Sequence, residues 1–171
     1  MTLKTDKIYP KNGLVSGASG GIIQVVQTVK TDTFTTASVV SSGGYVDLTG
    51  FSVTITPQSA SNKILVDCQI YNSNGNAVNF FRMLRGSTFI NQPGGTSSSG
   101  ASYNAHAFTY YNADNHQSTS VIKLLDSPAT TSATTYKVQT GTTSGTCTVN
   151  AFVGTSNYYG VSTITAMEIS A

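Results

Sequence analysis

The stretch Phe51-Ser52-Val53-Thr54-Ile55-Thr56-Pro57 (FSVTITP) decides the reading of this chain. Phe51, Val53 and Ile55 alternate with Ser52, Thr54 and Thr56, so an extended segment has one apolar side and one wet side, and Pro57 ends it. The next run repeats the pattern: Ile64, Val66, Cys68 and Ile70 alternate with Leu65, Asp67 and Gln69. Outward from this pair, β-like runs recur at Ile22 to Lys30, Asn79 to Leu84, Ala105 to Tyr111, Ser120 to Leu125, Thr135 to Thr140, Cys147 to Phe152 and Ser162 to Ile169, separated by turn residues. The expected fold is all-β, a single antiparallel β-sandwich of jelly-roll-like type with about ten strands. Its domain spans residues 22–171. Residues 1–21 hold Pro10, Gly13, Gly17, Gly20 and Gly21 with little periodicity, and read as an extended arm. Ser41 to Gly44 reads as a short turn and Asn91 to Ser102 as the longest loop.

Composition agrees. Only 9% of the 171 residues are charged, whereas 26 Thr, 22 Ser and 12 Asn supply a neutral polar surface that favours strands and turns. A net charge of +2 leaves no basic face for a run of phosphates, so nucleic acid is not an expected partner. No segment approaches the ~20 apolar residues of a membrane helix, and Met1 to Lys11 lacks the apolar stretch of an export signal. Neither export nor membrane insertion is expected. Cys68 and Cys147 fall in strands and read as buried thiols rather than a disulfide.

Catalytic chemistry finds little support. No Gly-x-Ser-x-Gly elbow is present, and Asp47, Asp67, Asp114, Asp126 and Glu168 are scattered singly, where glycoside cleavage needs two facing carboxyl groups. Asp67 and Glu168 read as wet-face residues of their strands. The glycine pairs lack the lysine and helix of a phosphate loop. His106 and His116 have no Cys or carboxylate at zinc-site spacing, and no cofactor is expected.

Gly20 to Gln27 (GGIIQVVQ), followed by Lys30, Thr31, Asp32, Thr33 and Phe34, resembles a group of small virion proteins from marine and freshwater bacteriophages, of the cyanophage fibre type. Ser52 to Pro57 (SVTITP), Ser61 to Val66 (SNKILV), Arg82 to Ser87 (RMLRGS), Leu125 to Gln139 (LDSPATTSATTYKVQ) and Ser162 to Ile169 (STITAMEI) extend the resemblance over nearly the whole chain. It implies a jelly-roll-like knob that forms homotrimers and is carried on a tail fibre or as a head spike, made in the host cytoplasm and located in the virion. These motifs are framework, and a fold does not by itself name what it grips. In such a trimer His106 could place one ring per chain on the threefold axis around a metal, though a packed strand histidine is the plainer reading.

Two expectations concern contacts. The polar arm, with Lys4, Lys7, Ile8, Tyr9 and Pro10, suits backbone pairing with other virion proteins. The segment Asn91 to Gln117 combines aromatics with Asn, Ser and Gly, as antibody binding loops do, and suits a host cell-surface glycan or protein. Its candidates are Tyr103, Asn104, Tyr111, Asn112, Asn115 and His116. Phe108 and Tyr110 alternate within a strand and are assigned to the core or to a trimer seam. Asn157, Tyr158 and Tyr159, within Gly154 to Gly160, form a second candidate surface. The competing readings are a head fibre or decoration protein that binds no receptor and, with less support, a fibre-borne glycan hydrolase.

Overall fold

The computed structural model describes residues 20–42, 44–94, 103–112, 116–152 and 158–171. Among them the chain forms β1 (Ile22–Lys30), β2 (Phe34–Thr36), β3 (Val46–Ile55), β4 (Lys63–Asn74), β5 (Val78–Arg85), β6 (Thr88–Phe89), β7 (Ala107–Tyr110), β8 (His116–Asp126), β9 (Thr134–Thr142), β10 (Cys147–Val149) and β11 (Ser162–Ile169), with a 3-10 turn at Val40–Ser42. No described helix is long and apolar enough to cross a membrane.

Leaving aside the short β2, β6 and β10, the eight main strands pair antiparallel in a nested order: β1 with β11, β3 with β9, β4 with β8, and β5 with β7. Two further pairings, β11 with β4 and β9 with β5, close them into two sheets, β1-β11-β4-β8 and β3-β9-β5-β7. A long hairpin rolled up in this way is a jelly roll. β10 follows β11 along β4, with β2 beside it, and β6 follows β7 along β5. Phe51, Val53 and Ile55 from one sheet meet Ile64, Val66, Cys68 and Ile70 from the other, with Phe81, Met83, Tyr136, Val138 and Ile164 filling the space between. Each such side chain contributes about 1.5–3 kcal/mol when fully buried.

β3 starts earlier than its alternation predicts. Leu48 and Phe51 are both buried although three positions separate them, and the register against β9 shifts between Asp47 and Ser52. Gly50 sits there with φ +74, a left-handed conformation that lets the strand bulge and change which residues face inward.

The sandwich has two ends of different character. At one, Gly20 N–H donates to Ser170 O at 2.7 Å and Ser170 N–H to Gly21 O at 3.0 Å, so residues 20 and 170 emerge side by side. Glu168 lies near this end and corrects the wet-face expectation: it is fully buried, with Oε1 accepting from Gln58 N–H and from Asn62 Nδ2, each at 2.6 Å. Asp67 does face outward, paired with Lys123 at 2.8 Å. The opposite end is lined by amides: Asn72, Asn74, Asn79 and Asn150 are all buried. Cys68 and Cys147 are buried free thiols, and burial raises both, Cys147 to about 12.

Candidate functional site

Because strand side chains alternate, each sheet also presents an outer face. On the outer face of β7 and β5, Phe108 and Tyr110 stand 69% and 66% exposed, while Ala107 before them and Thr109 between them turn inward. The expected alternation holds with the opposite phase: small residues face the interior and aromatics face out. Tyr103 stacks on Phe80, ring centroids 5.4 Å apart and planes 17° from parallel, and Phe108 tilts against Phe80 at 6.2 Å with an interplanar angle of 36°. Tyr45 OH donates to Asn104 O at 3.1 Å, tying the segment that carries Tyr103 down onto the sheet. Next to it on β9, Gly141 has no room for a side chain, since a Cβ would come within 2.5 Å of Val40 Cγ1 in the segment that crosses above.

One row further along the sheet, Arg82 on β5, Gln139 on β9 and Asp47 on β3 are directly opposite one another. Arg82 Nε and Nη2 donate to Gln139 Oε1 at 2.9 and 2.6 Å, Gln139 Nε2 donates to Asp47 Oδ1 at 2.8 Å, and Lys137 Nζ donates to Asp47 Oδ2 at 2.7 Å. The guanidinium lies 3.9 Å from the Tyr45 ring centroid and 5.3 Å from that of Phe89. Lys137 and then Gln139, both bonded to Asp47, hold its carboxyl below the usual range, and burial pushes the Tyr45 hydroxyl up to about 12. The result is an aromatic platform beside a fixed row of planar polar groups.

The other sequence candidates are not gathered onto this platform. Tyr111 is 2% exposed and its hydroxyl donates to Asn72 O and Oδ1 at 2.8 and 2.7 Å, so it belongs to the interior rather than to a contact surface. Asn112 is exposed just beyond it, and His116 is exposed at the start of β8, at the amide-lined end. Tyr158 and Tyr159, 60% and 69% exposed, stand near that same end. Tyr158 meets Phe152 edge-on at 5.9 Å, and Gly160 lies against the ring of Tyr71 on the outer face of β4. Asn115 and Asn157 lie outside the described residues, as do Lys4, Lys7, Ile8, Tyr9 and Pro10. The axial-metal alternative for His106 fails on geometry: Nδ1 accepts from Met83 N–H and Nε2 bonds Ile90 O, both at 2.8 Å, so both ring nitrogens are occupied within the chain. Burial lowers the His106 pKa.

The outer face of the other sheet is different again. Val25, Met167, Leu65 and Leu125 are cross-strand neighbours in one row over β1, β11, β4 and β8. Two residues on, the row reads Gln27, Thr165, Asp67 and Lys123, and the next Val29, Thr163, Gln69 and Val121. Val25 and Val29 at one edge are 59% and 51% exposed, and Val121 and Leu125 at the other 52% and 48%. Apolar groups thus sit at both edges of this face.

Among the described residues no three His, Cys, Asp or Glu side chains cluster to hold a metal. Asp126 and Glu168 both face the interior, on either side of Ile64, but each is already committed. Asp126 accepts from Arg85 Nη1 at 2.9 and 2.8 Å and from Tyr136 OH at 2.7 Å. They offer no accessible carboxylate pair.

No protein-family model matches the chain, and no curated protein does. Among solved structures it is similar to the tripod (BppUct-A-L) of the bacteriophage Tuc2009 baseplate, at 10% identity and TM-score 0.39, covering all of this chain and 80% of that one. It is also similar to a structure of infectious bursal disease virus, Gx strain, at 15% identity and TM-score 0.45, covering 99% of this chain and 42% of that one. A VP2 subviral particle of the same virus gives 14% identity and TM-score 0.39, covering 99% and 42%. The chain thus spans about two fifths of these bursal-virus chains.

Proposed function

We propose that the chain is a structural subunit of a bacteriophage particle, a fibre or spike knob that self-associates around a threefold axis, joins the particle through residues 1–21 and touches the host surface. The observation that carries this reading is the outer face of β1-β11-β4-β8. A closed ring needs two different patches on each copy, one meeting the other on the next copy. Val25 and Val29 at the β1 edge facing Val121 and Leu125 at the β8 edge of a neighbour supply such a pair, and Met167 and Leu65 then line the axis. Exposed apolar rows of this size on a strand-rich protein are an aggregation hazard unless something covers them. The sequence resemblance to phage virion proteins points the same way. Residues 20 and 170 lie side by side at the end opposite the buried amides.

Analytical ultracentrifugation of the purified protein tests the assembly, and electron microscopy of particles tests its place. Wild type sediments as a trimer and Val25→Lys/Leu125→Lys as a folded monomer. A monomeric wild type, or a dimer, overturns the ring. A chain lacking residues 1–18 forms the trimer and is absent from purified particles, and its normal incorporation removes the arm's role. Labelled antibody on the tail or on the head separates an adsorption fibre from a decoration protein.

A further inference from the structure

We propose that the outer face of β7-β5-β9-β3 is a saccharide platform that takes an uncharged pyranose unit, with the sugar's C–H face on Tyr103 and Phe108 and its hydroxyls on the Asp47, Gln139 and Lys137 row. This deepens the adhesive part of the function proposed above and rests on it only for the biological source of the glycan.

Three features carry the assignment. First, the rings are exposed where the core gains nothing from them: Phe108 and Tyr110 project outward from β7, and Tyr103, 42% exposed, is stacked on Phe80. A supported, partly exposed ring matches the axial C–H groups of a pyranose, and costs little entropy to hold in place. Second, the polar groups are already fixed by one another: Arg82, Gln139 and Asp47 are planar and stand opposite one another, and Lys137, two positions before Gln139 on β9, bonds Asp47. Asp47 accepts from Lys137 and Gln139, and Gln139 accepts twice from Arg82. A carboxylate accepts about four hydrogen bonds and an ammonium donates three, so capacity remains for hydroxyls, which both donate and accept. Third, Lys137 pairs with Asp47, and the one remaining cation, Arg82, is bonded twice to the neutral Gln139 and flanked by the rings of Tyr45 and Phe89. With a net excess of a single positive charge, itself engaged, the face offers hydroxyl-pairing groups rather than a cation cluster, and a neutral polyhydroxyl ligand suits it.

The dimensions agree. Phe108 and Gln139 stand on strands two apart, roughly 9–10 Å, and the Phe80 and Arg82 rows are roughly 7 Å apart along the strand. That is the reach of a disaccharide with one ring on the aromatics and hydroxyls of the second on the polar row. Neither Tyr158 nor Tyr159 contributes, which makes them a built-in control.

Saturation-transfer NMR and calorimetry on the purified protein, with lactose, maltose and chitobiose as neutral probes and sialyllactose as the acidic one, test the assignment. At least one neutral disaccharide binds in the millimolar range, with transfer to its ring protons. Phe108→Ala and Tyr103→Ala each weaken it about tenfold. Asp47→Asn weakens it while the aromatic transfer pattern stays, and Tyr158→Ala/Tyr159→Ala leaves it unchanged. Binding to sialyllactose alone, binding that survives both aromatic substitutions, or no binding of any neutral probe overturns the proposal. These measurements need no particle: sugar binding by a protein that never enters virions would sink the virion role and leave this site standing, and the reverse result would do the opposite.

Discussion

The two halves of β4 face the same interior and use different chemistry. Over Lys63 to Ile70 the inward residues are Ile64, Val66, Cys68 and Ile70, packed on Phe51, Val53, Phe81 and Met83. Beyond Ile70 the inward positions are Asn72 and Asn74, both buried, and the apolar contacts give way to named hydrogen bonds. Asn72 Nδ2 donates to Ile70 O at 3.0 Å and Ser120 Oγ at 3.1 Å, while its Oδ1 accepts from Asn79 Nδ2 at 3.1 Å and Tyr111 OH at 2.7 Å. Asn74 Nδ2 in turn donates to Asn79 Oδ1 at 2.7 Å and Thr142 Oγ1 at 2.9 Å. The apolar half is non-directional and accepts several side chains of similar volume. The amide half accepts one register, because a slip of a single residue would leave buried donors unpaired. It joins β4, β5, β7, β8 and β9 at the end where Asn112, His116, Tyr158 and Tyr159 are displayed, so specificity of fold is concentrated near these exposed side chains.

That contrast breaks most directly with Asn72→Leu against Ile70→Val. The first keeps the volume and removes one partner each from Tyr111 OH, Asn79 Nδ2 and Ser120 Oγ, which retain Asn72 O, Ser73 O and Thr109 Oγ1, and is expected to cost about 2–3 kcal/mol. The second removes one methylene from the apolar half at about 0.5–1.5 kcal/mol. Urea unfolding measures both. Equal costs would mean that the amide end is ordinary packing with polar atoms in it.

How much of this was legible follows the same division. The runs Ile22–Lys30 and Ser162–Ile169 coincide with β1 and β11, and Phe51, Val53 and Ile55 face the core, because alternation with apolar residues records burial directly. β4 continues to Asn74, beyond where its pattern ends, because asparagine in a strand interior looks like a turn residue until its partners are known. Tyr111 and Glu168 are buried against expectation for the same reason: their hydrogen-bond partners lie 39, 106 and 110 positions away. The platform was half visible. Tyr103 and Asn104 were singled out, but Asp47, Arg82, Lys137 and Gln139 come from three strands and carry no local signal. Phe108 and Tyr110 are expected in the core or at a trimer seam, and their exposure removes the first alternative; composition marks a strand without saying which side is wet.

A smaller effect sharpens the comparison at high pH. Tyr111 anchors the amide half and Tyr136 the apolar half, and both hydroxyls titrate well above 10. Burial is the main cause in each, joined for Tyr136 by its bond to Asp126. Folded values above the unfolded one mean that the stabilisation is complete below about pH 10 and is lost as pH rises beyond it. Tyr111→Phe should lower stability by about 1 kcal/mol near neutral pH. It should also make the decline above pH 10 shallower, since one of the protons linked to folding is gone. An unchanged alkaline slope, read from unfolding curves at stepped pH, would place Tyr111 outside the cooperative unit and separate the two ends.

The smallest effect belongs to salt, because neither half leans on exposed charge. Among the described residues the ion pairs are Lys30 with Asp32, Lys123 with Asp67, Lys137 with Asp47, and Arg85 with Asp126. In the first three at least one partner is half or more exposed, with Asp32 at 76%, Lys123 at 60% and Asp47 at 50%, and such pairs contribute about 0–1 kcal/mol each. Arg85–Asp126 is more sheltered and also receives Tyr136 OH, so screening reaches it least. Raising salt to about 1 M shortens the screening length to about 3 Å, and the unfolding midpoint should move by less than the Tyr111→Phe change moves it. A larger loss would show that the sparse charges contribute more to the fold than either its amides or its apolar packing allows.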